Sequence, residues 1–505
     1  MKELSALVEY ANPNRLKRLA FFHRKSKKNK SQVQQLYQLV LDNPKLGDRE
    51  LSQLLFDNPS DPRFYKVKHL LREQLTATVL LIEGWDRTNG EYQYQFAELR
   101  KQFSAAELLW TRGYPAAGVE MMKRICKQAV KLQMTNLIVM LTPYLKNYYV
   151  VYQQNGKLYQ KYEAIYQEWI GVFNAEMHIK SIYEHLFYFN NVAKLHHQGI
   201  ATEISLKLAE HESQFSPVDT ANYCFFYAIV RMAAKAFSQQ YQEAITVCWE
   251  AISALNNFEN SPRGYKRSIL LQVIGYAVRI EDFNEGKRAV DEALKTVVDG
   301  SLTYFQVYNF YLHLSILTGE FATAIEIANQ MFKHPKFDEL SLPYQEKWFL
   351  LRAYLYWLIK SNNVEDHGDT ELHKFRLGRF INDVPIFAKD KQGMHIPVLV
   401  IQILWLIQRK KYLDARDRIK SLERYLNRHL RDAPGLKRTY YFVKGICQLA
   451  NANFHKGAFA RKVNLFLTKI EKFDQPNNQE AFEVEIIPYE RFISYILNSL
   501  DHKMH

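Results

Sequence analysis

A short pattern recurs along this chain, in which an aromatic residue is followed three positions later by alanine or glycine. It begins at Tyr114, Tyr241, Phe283, Phe321, Tyr412 and Phe454. The spacing is 42 residues from Tyr241 to Phe283 and 38 from there to Phe321. From Tyr412 to Phe454 it is again 42, and the longer intervals are close to multiples of it. Such a repeat indicates similar helical units stacked on one another, about nine in all, rather than one compact core.

The composition favours helices over sheets. Glycine and proline number 19 and 15 of 505 residues, well below the roughly 12% of an average protein. Because sheets need frequent turns and turns use these residues, their scarcity favours long helices joined by short connections. Aromatic residues make up 14% of the chain, which a disordered protein would lack. We expect an all-α protein in which more than about half of the residues are helical.

Helical periodicity supports this expectation in the last strong repeat. Apolar residues there step by three and four positions, at Tyr412, Ala415, Ile419, Leu422 and Leu426. This spacing places them on one face of a helix, and we expect that face to lie in the core.

The recurring segments resemble the start of the second helix of a tetratricopeptide repeat. In that family the aromatic packs against the preceding helix, and small residues let the two antiparallel helices approach closely. The resemblance covers roughly residues 96–472 and implies a right-handed α-solenoid of helix pairs that binds a protein or peptide. The period near 42 residues exceeds the roughly 34 of the family, which implies longer helix pairs. The whole chain is also similar to a group of uncharacterised bacterial proteins, a similarity that implies no activity.

Three tyrosines are candidates for the groove of this solenoid. Tyr304, Tyr308 and Tyr311 recur at helical spacing in what should be the first helix of a pair. First helices line the concave side of such an array, so these residues could form the wall of a peptide-binding groove. Packing of the same rings in the core explains the spacing as well and is the favoured interpretation.

The sequence divides into three regions. Residues 1–95 lack the repeat and predict a basic helical module, with helices over 32–41, 48–55 and 62–82. Their order resembles a helix-turn-helix or winged-helix DNA reader, although residues 31–80 are neutral and a plain helical bundle is the alternative. Residues 96–474 form the predicted solenoid. Residues 475–505 predict a linker and a capping helix that starts at Pro488.

Positive charge is concentrated in two places. The formal net charge is +14, to which residues 1–30 contribute +7 and residues 401–472 contribute +12, so the remainder is mildly acidic. Such asymmetry favours an acidic or polyanionic partner, and a solubilising surface is the alternative. The candidate partner-binding residues are Arg15, Lys17, Arg18, Arg24, Lys25, Lys27, Lys28, Lys30, Arg416, Lys420, Arg424 and Arg428. The last four step by four residues and form one stripe along a helix.

Sequence motifs for chemistry are missing. The chain has no P-loop, dinucleotide-binding glycine motif, GxSxG elbow, HExxH or zinc-ligand spacing, so we expect neither catalysis nor a cofactor. Residues 365–373 hold four acids and two histidines that could ligate a divalent ion, but a solvated loop is the favoured interpretation and no metal site is predicted. The four cysteines lie far apart and predict buried thiols. With no apolar leader and no apolar run of about 20 residues, we expect a cytoplasmic protein without a membrane span.

Two functions fit these observations. The leading hypothesis is a non-enzymatic scaffold or adaptor whose helical-repeat surface binds a protein or peptide partner. The alternative is a nucleic-acid-associated regulator in which the basic N-terminal residues and the basic last repeats contact phosphates. Protein partners alone in a native complex would favour the first hypothesis, and nuclease-sensitive material would favour the second.

Overall fold

The computed structural model of the protein describes residues 31–44, 46–81, 91–188, 197–258, 261–365, 368, 370–376, 378, 380, 395–429, 437–472 and 484–500. Throughout these residues the secondary structure is helical and no strand occurs, which confirms the all-α prediction. No helix in the described ranges is both long and apolar enough to cross a bilayer. The chain divides into two compact units, Met1–Phe173 and Asn174–His505.

The first unit begins with three short helices, α1 (Gln32–Asp42), α2 (Asp48–Phe56) and α3 (Pro62–Leu81). They confirm the three helices predicted for residues 32–82. The Ser31 side chain caps α1 by accepting from the backbone of Gln34 at 3.3 Å, and the Ser31 backbone donates to the Gln34 side chain at 3.1 Å. The three helices enclose a small core of Leu36, Val40, Leu51, Phe64, Val67, Leu71 and Leu75. The predicted basic residues from Arg15 to Lys30 lie outside the described residues.

Longer helices complete the first unit, namely α4 (Glu91–Thr111), α5 (Pro115–Lys131), α6 (Thr135–Asn147) and the first part of α7 (Gly156–Tyr188). A π-helical turn, Tyr148–Tyr152, extends α6. The helices α4 and α5 approach so closely that a Cβ atom on Gly118 would lie only 2.8 Å from the carbonyl oxygen of Ala106. Glycine at this position therefore sets the distance between the two helices.

The second unit continues with α8 (His197–Gln214) and then with three helix pairs. The pairs are α9 (Ala221–Phe237) with α10 (Tyr241–Asn256), α11 (Arg263–Arg279) with α12 (Phe283–Leu294), and α13 (Leu302–Thr318) with α14 (Phe321–Phe332). Each helix packs against the next along the chain. The predicted repeat aromatics Tyr241, Phe283 and Phe321 are the first residues of the second helices, as the pattern indicates.

The described residues in the rest of the second unit are again mostly helical. Its helices are α15 (Leu342–Lys360), α16 (Thr370–His373), α17 (His395–Gln408), α18 (Tyr412–His429), α19 (Lys437–Asn451), α20 (Lys456–Ile470) and α21 (Tyr489–Ser499). On α18 the predicted core face is confirmed, because Ala415, Ile419, Leu422 and Leu426 are buried. The predicted terminal helix is confirmed as well, since Pro488 caps α21.

One turn geometry closes the helix pairs. A residue one or two positions after the first helix has a left-handed backbone, with φ of 61° at Gln239, 53° at Glu281 and 87° at Gly319. The next backbone amide then donates to the carbonyl five residues earlier, as from Asp282 to Ala277 at 2.9 Å. This bond satisfies a carbonyl at the helix end and reverses the chain, so that the second helix returns along the first. The same turn follows α4, α5, α15, α17 and α19, at Gly113, Gln133, Asn362, Lys410 and Asn453.

Small residues just after the turn bring the paired helices together. At Gly286 of α12 a Cβ atom would lie 3.2 Å from the Cβ of Ala277 and still closer to Leu314, so the position has no room for a side chain. The aromatic residue three positions before this small residue makes a further contact. The Phe283 ring lies 6.2 Å from that of Tyr311 on α13, and the Tyr241 ring lies 6.1 Å from that of Tyr276 on α11. These rings thus contact the following helix, and the expected packing against the preceding helix stays a prediction.

The C-terminal helix α21 ties several helix turns together. Arg491 donates to the carbonyl of Leu317 at 2.9 Å and pairs with Glu281 at 2.6 Å, so it bridges the turns after α13 and α11. The Asn363 side chain, after α15, donates to the carbonyl of Tyr495 at 3.1 Å. On its buried face, α21 places Phe492 against the rings of Tyr354, Trp357 and Phe442. The helix therefore packs well beyond the last repeat that it was predicted to cap.

A buried ion cluster holds the segment before α21. Arg438 of α19 donates to Glu485 at 2.9 Å and to Glu490 at 2.6 Å, and the side chains of Arg438 and Glu485 are only 6% and 7% exposed. Burial disfavours the charged guanidinium, but the two carboxylates outweigh it and raise the pKa of Arg438. Arg438 also donates to the carbonyl of Ile470, the last residue of α20, and so attaches the end of that helix to the cluster.

Replacing Arg438 with methionine should lower the free energy of unfolding by about 3–5 kcal/mol, because Glu485 would remain buried without its partner. The double change Arg438→Met with Glu485→Leu should recover part of this loss. Urea unfolding followed by circular dichroism measures both. The exposed substitution Lys420→Met is the control and should stay within about 0.5 kcal/mol of the parent. Equal stability of Arg438→Met and the parent would contradict the role of the cluster.

Candidate interaction surfaces

The first helices of the pairs lie side by side in the second unit. Helix α9 packs against α11, and α11 packs against α13. Near their N-terminal ends, the Tyr265 hydroxyl of α11 donates to the Asn222 side chain of α9 at 2.7 Å. Further along, the Gln306 side chain of α13 donates to the Tyr344 hydroxyl of α15 at 3.4 Å. We call α9, α11, α13 and the N-terminal half of α15 the first-helix row.

Basic and acidic residues are distributed unequally between the first and the second helices of the pairs. Helices α9, α11 and α13 together contain six Lys or Arg residues and no Asp or Glu. Helices α10, α12 and α14 contain six Asp or Glu residues and two Lys or Arg. The first-helix row is therefore basic and the layer of second helices is acidic. Because first and second helices alternate along the chain, their opposite charges largely cancel in a sum over a long stretch of sequence. Such sums therefore do not reveal the two layers.

Part of the charge on the row is already compensated. On α9, Arg231 pairs with Glu250 at 3.3 Å and Lys235 pairs with Glu243 at 2.6 Å, both acids belonging to α10. On α11, Arg263, Lys266 and Arg267 form no ion pair with any carboxylate among the described residues. They lie in the first turns of the helix, where the helix dipole disfavours cations, and burial lowers the pKa of Arg267. Among the described residues, these three cations of the row are not paired with a carboxylate.

The three candidate groove tyrosines contact the second helices. Tyr308 accepts a hydrogen bond from Gln330 of α14 at 3.2 Å, and the Tyr311 ring lies 6.2 Å from that of Phe283 on α12. The Tyr304 ring lies 4.8 Å from that of Tyr308. All three are half-buried and pack against the main core cluster of the unit. These contacts are those expected from core packing, and a role in a peptide groove stays a prediction.

The predicted basic stripe on α18 separates into two parts. Arg416 is half-buried, donates to the side chain of Asn453 at 2.8 Å and lies over the ring of Phe454, so it joins α18 to the turn after α19. Lys420, Arg424 and Arg428 are exposed. The ion pair of Lys420 with Asp417, at 3.4 Å, is exposed on both sides. Such a pair contributes little to stability, so these three side chains are available to a partner.

The possible ligands of a metal ion in residues 365–373 lie partly outside the described residues, because Asp366, His367 and Asp369 are among those not described. Within the described part of the chain, no group of His, Cys, Asp and Glu side chains is placed to hold a metal. The four cysteines are free thiols, of which all but the half-buried Cys224 are buried, as predicted.

Neither a protein-family model, nor a curated protein, nor a solved structure matches this chain.

A buried polar cluster that the sequence analysis missed lies between α7, α8 and α9. His178 Nδ1 and His211 Nδ1 are 3.0 Å apart, and His211 Nε2 is 3.0 Å from the hydroxyl of Tyr223. The Phe215 ring lies 5.2 Å from both imidazole rings. His211 is fully buried, and this burial, helped by the nearby His178 and opposed by Glu212, lowers the pKa of His211. Folding alone brings the two histidines together, so no spacing in the sequence reveals them.

This cluster predicts that acid destabilises the protein. In the unfolded chain His211 takes up a proton as the pH falls through about 6.5, but the folded chain resists protonation because the pKa of His211 is lowered. Stability is thus complete above that pH and is lost as the pH falls towards the folded pKa. We expect the parent to lose more unfolding free energy between about pH 7 and pH 5 than the His211→Asn variant.

Urea unfolding at the two pH values tests this expectation. Titrating groups that do not contact His211 contribute equally to both proteins, including His313, whose burial lowers its pKa to about 4. An equal loss of stability in the parent and the variant would mean that the His211 ring titrates as freely in the folded protein as in the unfolded chain.

Proposed function

We propose that this protein is a non-enzymatic interaction protein that holds an acidic segment of a partner protein along the first-helix row. The observation that carries the proposal is the separation of charge, with six Lys or Arg and no Asp or Glu on α9, α11 and α13. A surface of one sign selects a ligand of the opposite sign and speeds its association.

In this proposal the helix pairs are units of a right-handed, tetratricopeptide-like solenoid, and the first-helix row is its inner surface. The spacing of the left-handed turn residues supports the repeat. The intervals between Gln239, Glu281, Gly319, Asn362, Lys410 and Asn453 are 42, 38, 43, 48 and 43 residues. Such an array offers an extended surface to a peptide and needs no catalytic residue.

Arg263, Lys266 and Arg267 are the residues that we expect to contact carboxylates. Their mutual repulsion and their unfavourable position at a helix N-terminus are both relieved when an acidic ligand binds. The bond between Tyr265 and Asn222 places the start of α11 beside the start of α9. Helix N-termini side by side also favour negative charge, so the helix dipoles and the cations act in the same direction.

Reversing these three charges tests the proposal. The variant Arg263→Glu, Lys266→Glu, Arg267→Glu should bind a short fluorescein-labelled glutamate-rich peptide at least about tenfold more weakly than the parent. It should also lose the protein partners that the parent captures from its native cells, as identified by mass spectrometry. Fluorescence anisotropy at low and moderate salt measures the peptide affinity.

The matched control reverses three charges at a second helix, with Lys287→Glu and Arg288→Glu on α12 and Lys295→Glu at its C-terminal cap. It makes the same change in net charge but should leave peptide affinity within about twofold of the parent. If both triple variants lose affinity equally, binding depends on net charge alone and the first-helix row is not the site.

One observation favours a second function, binding of nucleic acid by the basic stripe. Lys420, Arg424 and Arg428 are exposed along α18, and the residues 401–472 around them carry a net charge of +12. Cations at regular intervals on one helix face suit the regularly spaced phosphates of a strand. In this alternative the protein is a nucleic-acid-associated regulator.

The stripe predicts a definite salt dependence. If all three side chains contact phosphates, the variant Lys420→Glu, Arg424→Glu, Arg428→Glu should flatten the slope of log affinity against log salt by about three for duplex DNA. Fluorescence anisotropy with a labelled duplex between about 50 and 200 mM salt measures the slope. By contrast, Arg416→Glu should lower stability, since Arg416 bonds to Asn453. A triple variant with the parent's affinity and slope would remove the stripe from nucleic-acid binding.

A further inference from the structure

The first unit has an aromatic surface that takes no part in the first-helix row or the stripe. Trp110 of α4 meets Tyr148 and Tyr152 edge-on, with ring centroids 6.3 and 6.0 Å away, and Tyr148 and Tyr152 stack at 5.6 Å. Tyr152 is 57% exposed, and Trp110 and Tyr148 are half-buried. We call these three residues the aromatic platform.

The π-helical turn after α6 creates this exposure. The amide of Gln153 donates to the carbonyl of Tyr148 at 3.2 Å, five residues back instead of four. Tyr149 stays buried in the wider turn and stacks on Tyr162 at 5.6 Å, whereas Val151 and Tyr152 face solvent. Turns of this kind often occur at functional sites, and a contiguous exposed patch of large apolar side chains marks a place of interaction.

The stretch of chain that includes the platform residues is basic. Residues 99–161 contain ten Lys or Arg residues and two Glu, a third basic region that the sum over the middle of the chain conceals. Arg112 follows Trp110 by two residues and Lys157 follows Tyr152 by five. Both are exposed, and neither forms an ion pair with a carboxylate in the described ranges.

The acids near the platform are already bonded. Glu107 accepts a hydrogen bond from the hydroxyl of Tyr144 at 2.9 Å, and Glu163 pairs with Lys146 at 2.6 Å. The platform therefore combines flat, solvent-facing rings with positive charge that nothing in the described structure neutralises.

We propose that the aromatic platform binds single-stranded nucleic acid, with bases stacked on Tyr152 and Trp110 and phosphates beside Arg112 and Lys157. An unpaired strand offers both features that the platform complements, because every base has a flat π-face and every nucleotide has a negative charge. An acidic peptide offers the charge without the flat faces. A duplex keeps its base faces covered by stacking. The charge and the rings together select the single strand.

Binding of fluorescein-labelled oligo(dT) and oligo(U) to the full chain tests the proposal by fluorescence anisotropy. The protein carries Lys420→Glu, Arg424→Glu and Arg428→Glu throughout, so that the basic stripe does not contribute. Tyr152→Ala should weaken binding by about tenfold, and Tyr152→Phe, which keeps the ring, should leave it within about twofold of that background. Arg112→Glu with Lys157→Glu should flatten the salt slope by about one to one and a half.

The matched control is Tyr65→Ala on α3, which removes a ring of similar exposure, 63%, that is not part of the aromatic platform. It should leave affinity unchanged. Equal affinity of Tyr152→Ala and the background would overturn the proposal, and so would an equal loss for Tyr65→Ala. If a duplex of the same length, or the glutamate-rich peptide, depends on Tyr152 as strongly as the single strands do, the platform recognises charge or apolar surface in general and the assignment to a single strand is wrong.

Discussion

The helix hairpin closed by a left-handed turn is the constraint on which the rest of this structure depends. At Gln239, Glu281 and Lys410 a residue with a side chain adopts positive φ, which costs about 1 kcal/mol or more for a residue other than glycine. The cost is offset because the turn satisfies carbonyls at the helix end and lets the second helix return at once. A buried alanine or a glycine then follows within one turn of helix, as at Ala244, and sets the distance between the helices.

A hairpin built in this way still has an apolar face on each side, so each pair must be covered by the next. In the second unit the last such face is covered by α21. The bond from Arg491 to the carbonyl of Leu317 shows how far this helix reaches from its neighbours in sequence. The buried cluster of Arg438, Glu485 and Glu490 fixes where the segment enters the fold, because only one position of the chain pairs all three charges. We infer that the ion cluster specifies position, while burial of Phe492 supplies most of the stability.

Features encoded by near neighbours in sequence could be predicted, and features made by packing could not. The apolar face of α18 and the start of α21 at Pro488 follow from spacing and from the restricted backbone of proline, and both are present. The left-handed turn at Gln239 could not be predicted, since its sequence lacks glycine. Arg416 and Lys420 look alike on a helical wheel, yet only Arg416 meets Asn453, which arrives from the turn after the next helix.

The distribution of charge is another feature that the sequence predicts only in part. Sums over long stretches identify residues 1–30 and 401–472 as basic, but they average over neighbouring helices of opposite charge. They therefore hide both the first-helix row and the basic stretch 99–161 of the first unit. Positive charge by itself also does not choose a ligand. At the row, Arg263, Lys266 and Arg267 lie at the N-terminal end of α11. The free backbone amides of a helix N-terminus suit the carboxylates of an acidic peptide. At the platform the cations follow stacked rings within a few residues of sequence, and an unpaired base can use those rings whereas a carboxylate cannot. The groups near each set of cations, rather than the number of cations, therefore distinguish the two proposed partners.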